Sequence, residues 1–253
     1  RTKIRVIAER LEPRSKVAID GALRRFAGFV NLEIKSPRGE RFHRVYKGVK
    51  TQNRIRGLLH LYDLSASQEQ NVDTIAQREY EALRLLSLKP WAPQLLDSFQ
   101  PAPGYDGDMF FFSVVDPEAP NLASRTRDQE WSSASRMKFA AESLTALAEL
   151  HGSEPVVGSD NTSMLHRNIS TETVLVRYDD TPILTGLELA RIDASKSIGT
   201  VAAPENPATA PEIIAQGLTA ATTKSDVYSL SYCLATLFSD RDDDLSRQAA
   251  EIL

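Results

Sequence analysis

Few side chains in this chain could do chemistry, and they are widely spaced. Four histidines (His43, His60, His151 and His166) show no metal-ligand spacing, and no metal site is expected from them. A single cysteine, Cys233, excludes an internal disulfide framework and a multi-cysteine zinc site. It falls inside an apolar helical stretch and reads as an inert core thiol. Carboxylates stand out at Glu79, at Asp179-Asp180 and at Glu188. Glu188 and the aspartate pair could ligate a divalent cation in a rearranged pocket, while the adjacent aspartates also fit a solvated turn between strands and Glu79 a pairing with a basic neighbour. His60 could be a general base or a strand histidine satisfied in a core, and His166, in a loop, is expected to be structural.

These residues hang on an alternation of strand and helix text. Residues 13–27 read as a helix, with Pro13 and Ser15 near its start. Strand-like runs follow at 29–34, 42–49 and 56–62, with a polar turn at Ser36-Pro37-Arg38-Gly39. Residues 72–88 form an amphipathic helix with Ile75, Tyr80, Leu83 and Leu86 on one face, stopped by Pro90. Two more strands, 94–98 and 109–115, flank a loop at 101–108, completing an expected five-stranded antiparallel sheet. After Asp116 the texture turns helical. A long helix over 133–151 places Met137, Ala140, Leu144, Leu147 and Leu150 at three- and four-residue steps. Short strands at 174–176 and 183–184 flank Asp179-Asp180. An Ala/Pro/Thr-rich stretch occupies 193–221, and a helix over 223–238, apolar nearly all round, is expected to be buried.

At 253 residues, 42% hydrophobic and 25% charged, the chain is long enough for a sizeable core and has ordinary globular composition. No apolar run approaches the ~18 residues of a membrane helix and no signal peptide opens the chain, so a soluble cytoplasmic protein is expected. The net charge is −4, but residues 1–60 hold sixteen Lys/Arg against five Asp/Glu. That basic quarter is a candidate surface for nucleic acid or an acidic partner, or a counterpart to the acidic remainder of the chain. The start at Arg1 and the abrupt end at Leu253 suggest a piece of a longer protein.

Several phrases occur in a telling order. His166-Arg167-Asn168 begins the run 166–176 and follows a helix ending Leu150-His151-Gly152. Leu184-Thr185-Gly186-Leu187-Glu188 comes next, then Ala210-Pro211-Glu212, then Ser225-Asp226-Val227-Tyr228-Ser229. The order and spacing resemble the protein-kinase fold over roughly residues 30–240. The resemblance implies an α+β, bilobal architecture: a small antiparallel-sheet lobe at 29–116, preceded by a helical extension at 1–28, and a mainly helical lobe at 117–253. The second lobe would be incomplete after the helix at 223–238.

The same resemblance implies that the chemistry is gone. Asn168 stands where the family's catalytic loop has a carboxylate, and an amide cannot take up a proton near neutral pH. Thr173 replaces the asparagine that ligates magnesium, and Gly186 replaces the metal-binding aspartate. His60 falls where the phosphate-pairing lysine belongs, with Glu79 keeping the place of that lysine's glutamate partner. Arg38, Glu40 and His43 occupy the glycine positions of the phosphate loop, with Gly39 nearby. Glu212 and Asp226 match positions that are structural in the family, and His166 and Leu187 positions that pack in its regulatory spine. Ser195, Ser197 and Thr200 lie where an activation segment would be phosphorylated. The segments 61–67 and 78–83 are similar in texture to a bacterial subfamily in which a nuclease-related NERD domain precedes a kinase-like domain, some of its members in phage-defence islands.

The expectation is a pseudokinase: a catalytically inactive regulatory or protein-interaction domain of a larger bacterial protein. Its partners would be other domains of that parent or a separate protein, with no membrane involved. No cofactor is expected, since the residues that cradle ATP are missing. Two alternatives remain: an atypical nucleotide-binding serine/threonine kinase using Glu79, Glu188 or the aspartate pair, and a nucleic-acid-binding module built on residues 1–60.

Overall fold

A computed structural model describes residues 25–35, 43–63, 72–102, 109–152, 164–192 and 206–239. The expected helix over 13–24, the turn at 36–39, the loop at 103–108, Ser195, Ser197, Thr200 and the chain beyond 239 lie outside the described residues. The fold is mixed α+β. It divides into two compact units, one of residues 1–72 and 95–116, the other of residues 73–94 and 117–253.

The first unit is an antiparallel sheet of six strands: β1 (Arg25–Phe26), β2 (Phe29–Ile34), β3 (His43–Lys50), β4 (Arg56–Asp63), β5 (Leu95–Pro101) and β6 (Met109–Val115). Their spatial order is β1-β2-β3-β4-β6-β5. The five expected strands are present with shifted ends, and β1 is the addition. It corrects the expected helix at its C-terminal end: Arg25 and Phe26 pair with Val30 and Phe29 across a turn in which Ala27 and Gly28 take φ of +48° and +80°. A helix cannot run through that left-handed pair, and the hairpin lets Phe26 join the core.

β4 and β6 are central and carry nearly continuous apolar text, Leu58-Leu59-His60-Leu61-Tyr62 and Phe110-Phe111-Phe112. Phe26, Phe29, Tyr46, Leu59, Leu61, Met109 and Phe111 form a core cluster. Each large side chain fully buried there contributes roughly 1.5–3 kcal/mol relative to exposure. Gly57 allows a close approach in this unit, because a Cβ there would lie 2.8 Å from the Phe29 ring and 2.9 Å from Leu96 Cδ1. The Lys50 ammonium pairs with Asp97, which also accepts from the Ser113 hydroxyl, so a largely sequestered charge is neutralised by its neighbours.

The second unit takes in nearly all of α1 (Val72–Leu85) and the segment after it. Trp91 fixes that segment: its indole donates to Glu149 at 3.0 Å and its carbonyl accepts from Leu184 N at 2.8 Å. Then follow α2 (Leu122–Arg125), α3 (Ser133–His151), the two-stranded sheet β7 (Val174–Val176) and β8 (Pro182–Leu184), α4 (Pro211–Gln216) and α5 (Thr223–Ala235). α3 matches its expected span, and Ser132 caps it by accepting from Ser135 N. Its buried stripe differs from the expected one. Arg136, Phe139, Ala140, Ser143, Ala146, Leu147 and Leu150 face inward, whereas Met137 and Leu144 are 37% and 41% exposed. Buried Arg136 sets the register: its guanidinium donates to the carbonyls of Trp131, Thr126, Asp128 and Leu237 and stacks 5.1 Å from the Trp131 ring.

One further expectation is corrected: α5 is buried on one side only, since Val227, Tyr228 and Tyr232 are between 43% and 45% exposed. Within the Ala/Pro/Thr-rich stretch Pro211 starts α4, at a position where its missing N–H costs no hydrogen bond. Among the described residues no helix is long and apolar enough to cross a membrane.

Candidate functional site

In the second unit the sequence-selected residues converge on the loop between Leu165 and Thr173. Leu165 forms a bridge with Arg191, which ties the start of the loop to the stretch after Glu188. Asp226, 1% exposed near the start of α5, holds the loop from beneath. Its Oδ2 accepts from His166 N and its Oδ1 from Arg167 N, each at 2.8 Å, while His151 Nε2 lies 3.0 Å from Oδ2. Two backbone donors aimed at one carboxylate leave Asp226 no room for chemistry; it organises the loop. Arg167 is held at φ +67°, a conformation that costs an arginine of order 1 kcal/mol and that this clamp sustains. Its Nη2 donates to Leu218 O at 2.6 Å. Burial, then the charges of Arg191 and Arg78, lower its pKa to about 10.

His166 is fully buried, its Nδ1 accepting from Asn168 N at 3.3 Å. Burial pushes its pKa down against the pull of Asp226, so the ring is neutral and acts as packing. Glu212, the first acidic residue of α4, accepts from the Ser225 hydroxyl at the start of α5, and that bond holds its carboxyl below the usual range.

The chemically suggestive positions are Asn168, Thr173, Gly186 and Glu188, which lie together. Asn168 Nδ2 donates to Glu188 Oε1 at 2.7 Å. Thr173 Oγ1 donates to Asn168 O at 2.7 Å and accepts from Ser170 N at 2.9 Å. Thr185 closes the ring, its N–H and hydroxyl both donating to Thr173 O at 2.8 Å. Gly186 takes φ +78°, and a Cβ there would lie 2.7 Å from Thr173 Cγ2 and 3.1 Å from Asn168 Nδ2. An acidic side chain cannot occupy that position in this backbone. The cluster therefore offers one carboxylate, Glu188, already engaged by an amide, and no imidazole or lysine to carry a proton.

Asp179 and Asp180 are not part of it. Asp179 accepts from Thr181 N and Oγ1 at 3.2 and 2.7 Å, while Asp180, at φ +61°, accepts from the Trp131 indole at 2.8 Å. They form the β7–β8 turn and anchor it to the N-terminal side of α3. Glu79 is 4% exposed on α1.

In the first unit His60 sits on β4, half-buried, and the sheet register brings it a neighbour that sequence spacing concealed. Val45 lies opposite His60 and His43 opposite Tyr62, so His43 and His60 are diagonal neighbours on one face. His43 Nε2 lies 3.3 Å from His60 Nδ1. The His43 ring stacks on Tyr62 at 4.1 Å and the His60 ring on Phe112 at 4.7 Å. Arg38, Gly39 and Glu40 lie outside the described residues. No protein-family model matches the chain, and no curated protein matches it.

Proposed function

We propose that this chain is a kinase-like domain without phosphotransfer activity, serving as a regulatory or interaction module within a larger protein. The reading rests on the order of motifs, with the two compact units taken as the two lobes except that residues 73–94 of the expected first lobe belong to the second unit. The observation that carries it is the closed cluster around Gly186. Where phosphotransfer needs a metal-binding carboxylate, a glycine is hemmed in by the Thr173 methyl and the Asn168 amide. Where it needs a proton acceptor, Asn168 spends its amide on Glu188. His60 supplies no permanent cation. By contrast, the bonds that shape the loop, Asp226 to His166 N and Arg167 N, are intact. A scaffold kept while the reacting groups are replaced fits a module that presents surfaces.

Calorimetric titration with ATP, with and without magnesium or manganese, tests this. The expected result is no saturable heat at millimolar nucleotide. In the same protein Asn168→Asp should give no phosphotransfer to a generic serine/threonine substrate, because it restores one group of several. Metal-dependent ATP binding in the micromolar range, or activity in that single variant, would overturn the reading in favour of an atypical kinase using Glu188. Absence of binding directs the search to partner surfaces in the intact parent protein, beginning with the basic residues 1–60.

A further inference from the structure

We propose that His43 and His60 form a two-imidazole binding site for a late first-row divalent ion, Zn2+ or Cu2+. The inference does not rest on the kinase-like reading, although that reading puts His60 at its lysine position and His43 in its phosphate loop.

Metal–imidazole bonds are about 2.0–2.1 Å long, so two ligands at a tetrahedral angle sit about 3.3–3.4 Å apart. The His43 Nε2 to His60 Nδ1 separation is 3.3 Å, the bite such an ion requires. At that distance a proton carried by either ring can lie between the two nitrogens. When one ring moves its proton to its other nitrogen, both facing nitrogens present lone pairs, with no net proton release. Each ring then turns, by roughly 35° from the direct line between the nitrogens for metal bonds of this length, to point its pair at a common centre. Imidazole suits zinc and copper, whereas magnesium and calcium favour oxygen donors, which sets the class of ion.

The backbone and the flanking rings hold this geometry before any ion arrives. β3 and β4 are adjacent and fully paired over His43–Val49 and Arg56–Tyr62, so the two Cα positions are fixed. Tyr62 and Phe112 limit ring motion, with the His43 and Tyr62 planes only 4° apart. Both imidazoles are half-buried rather than sealed, so an ion can enter and water can complete its coordination. Preorganisation of this kind lowers the ordering cost that weakens two-ligand sites on mobile chains.

The test uses the chelator-treated chain and the bare ions. Titration with Zn2+ should show one ion bound per chain in the micromolar range. Cu2+ should give an electron paramagnetic resonance spectrum coupled to two imidazole nitrogens. His43→Gln and His60→Gln should each weaken binding by roughly tenfold or more. Nuclear magnetic resonance of the unaltered chain removes any dependence on variants that fail to fold: Zn2+ should move the ring resonances of His43 and His60 and leave those of His151 and His166 in place. Absence of saturable binding, shifts confined to other histidines, or binding that survives the double variant would each overturn the proposal.

Discussion

At Gly186 the left-handed backbone and the crowding reinforce each other. A φ of +78° already disfavours any side chain, and the Thr173 methyl stands where a Cβ would go. Gly186→Ala should therefore destabilise the chain by about 1–3 kcal/mol, read as a fall in melting temperature. Adding Thr173→Ser removes the nearer clash while leaving the hydroxyl that bonds Asn168 O. The double variant should recover part of the loss, so the two changes should be less than additive. Additive losses would mean that backbone conformation alone sets the cost. That a glycine stands at position 186 is plain from the sequence. That Thr173 and Asn168 have closed in on the space is not, since three side chains from separate segments must be placed before their contact exists.

Among the elements, α3 and α5 show how far periodicity reaches. Apolar spacing locates both helices, yet the stripe through Met137 and Leu144 is not the one that packs. Four backbone carbonyls converge on Arg136 and draw it inward, rotating the buried face toward Phe139 and Leu147. On α5 the exposed Tyr228 and Tyr232 look apolar in sequence but lie opposite the face that carries Asp226, Ser229, Leu230 and Cys233. Ser225 links two elements. It completes a capping box with Thr222 at the N-terminus of α5 and donates to Glu212 of α4. Ser225→Ala should cost about 1–2 kcal/mol in denaturant unfolding, since a cap and the anchor of a carboxylate are lost together. Glu212→Gln, which leaves the cap in place, should cost less; equal losses would show that the α4 anchor dominates.

For the whole molecule, the buried neutral His166 links folding to acidity. Burial lowers its folded-state pKa, whereas the unfolded chain takes up a proton near pH ~6.5. The stabilisation is thus fully present above that pH and is lost as pH falls below it, by at most about 1.4 kcal/mol per unit. Glu149, Asp179 and Glu212 have depressed carboxyl pKa values, with largest causes the Trp91, Thr181 and Ser225 side-chain hydrogen bonds respectively, and they add losses only below pH ~4.5. Melting temperatures measured from pH 7 to pH 5 should fall, and His166→Asn, which retains an acceptor for Asn168 N, should flatten that slope; an unchanged slope would assign the acid sensitivity elsewhere. The sequence by itself determined the mixed α+β class, the principal strands and helices, and the identity of the residues at the reactive-looking positions. Hydrophobic period and turn chemistry are local, and a residue type is legible wherever its neighbours are. Tertiary structure alone decided which helix face is buried, that residues 25–26 turn back as a strand, that Glu188 engages Asn168, and that His43 meets His60. Each of those depends on groups far apart in the chain, brought together by sheet register and by buried polar atoms that must find partners.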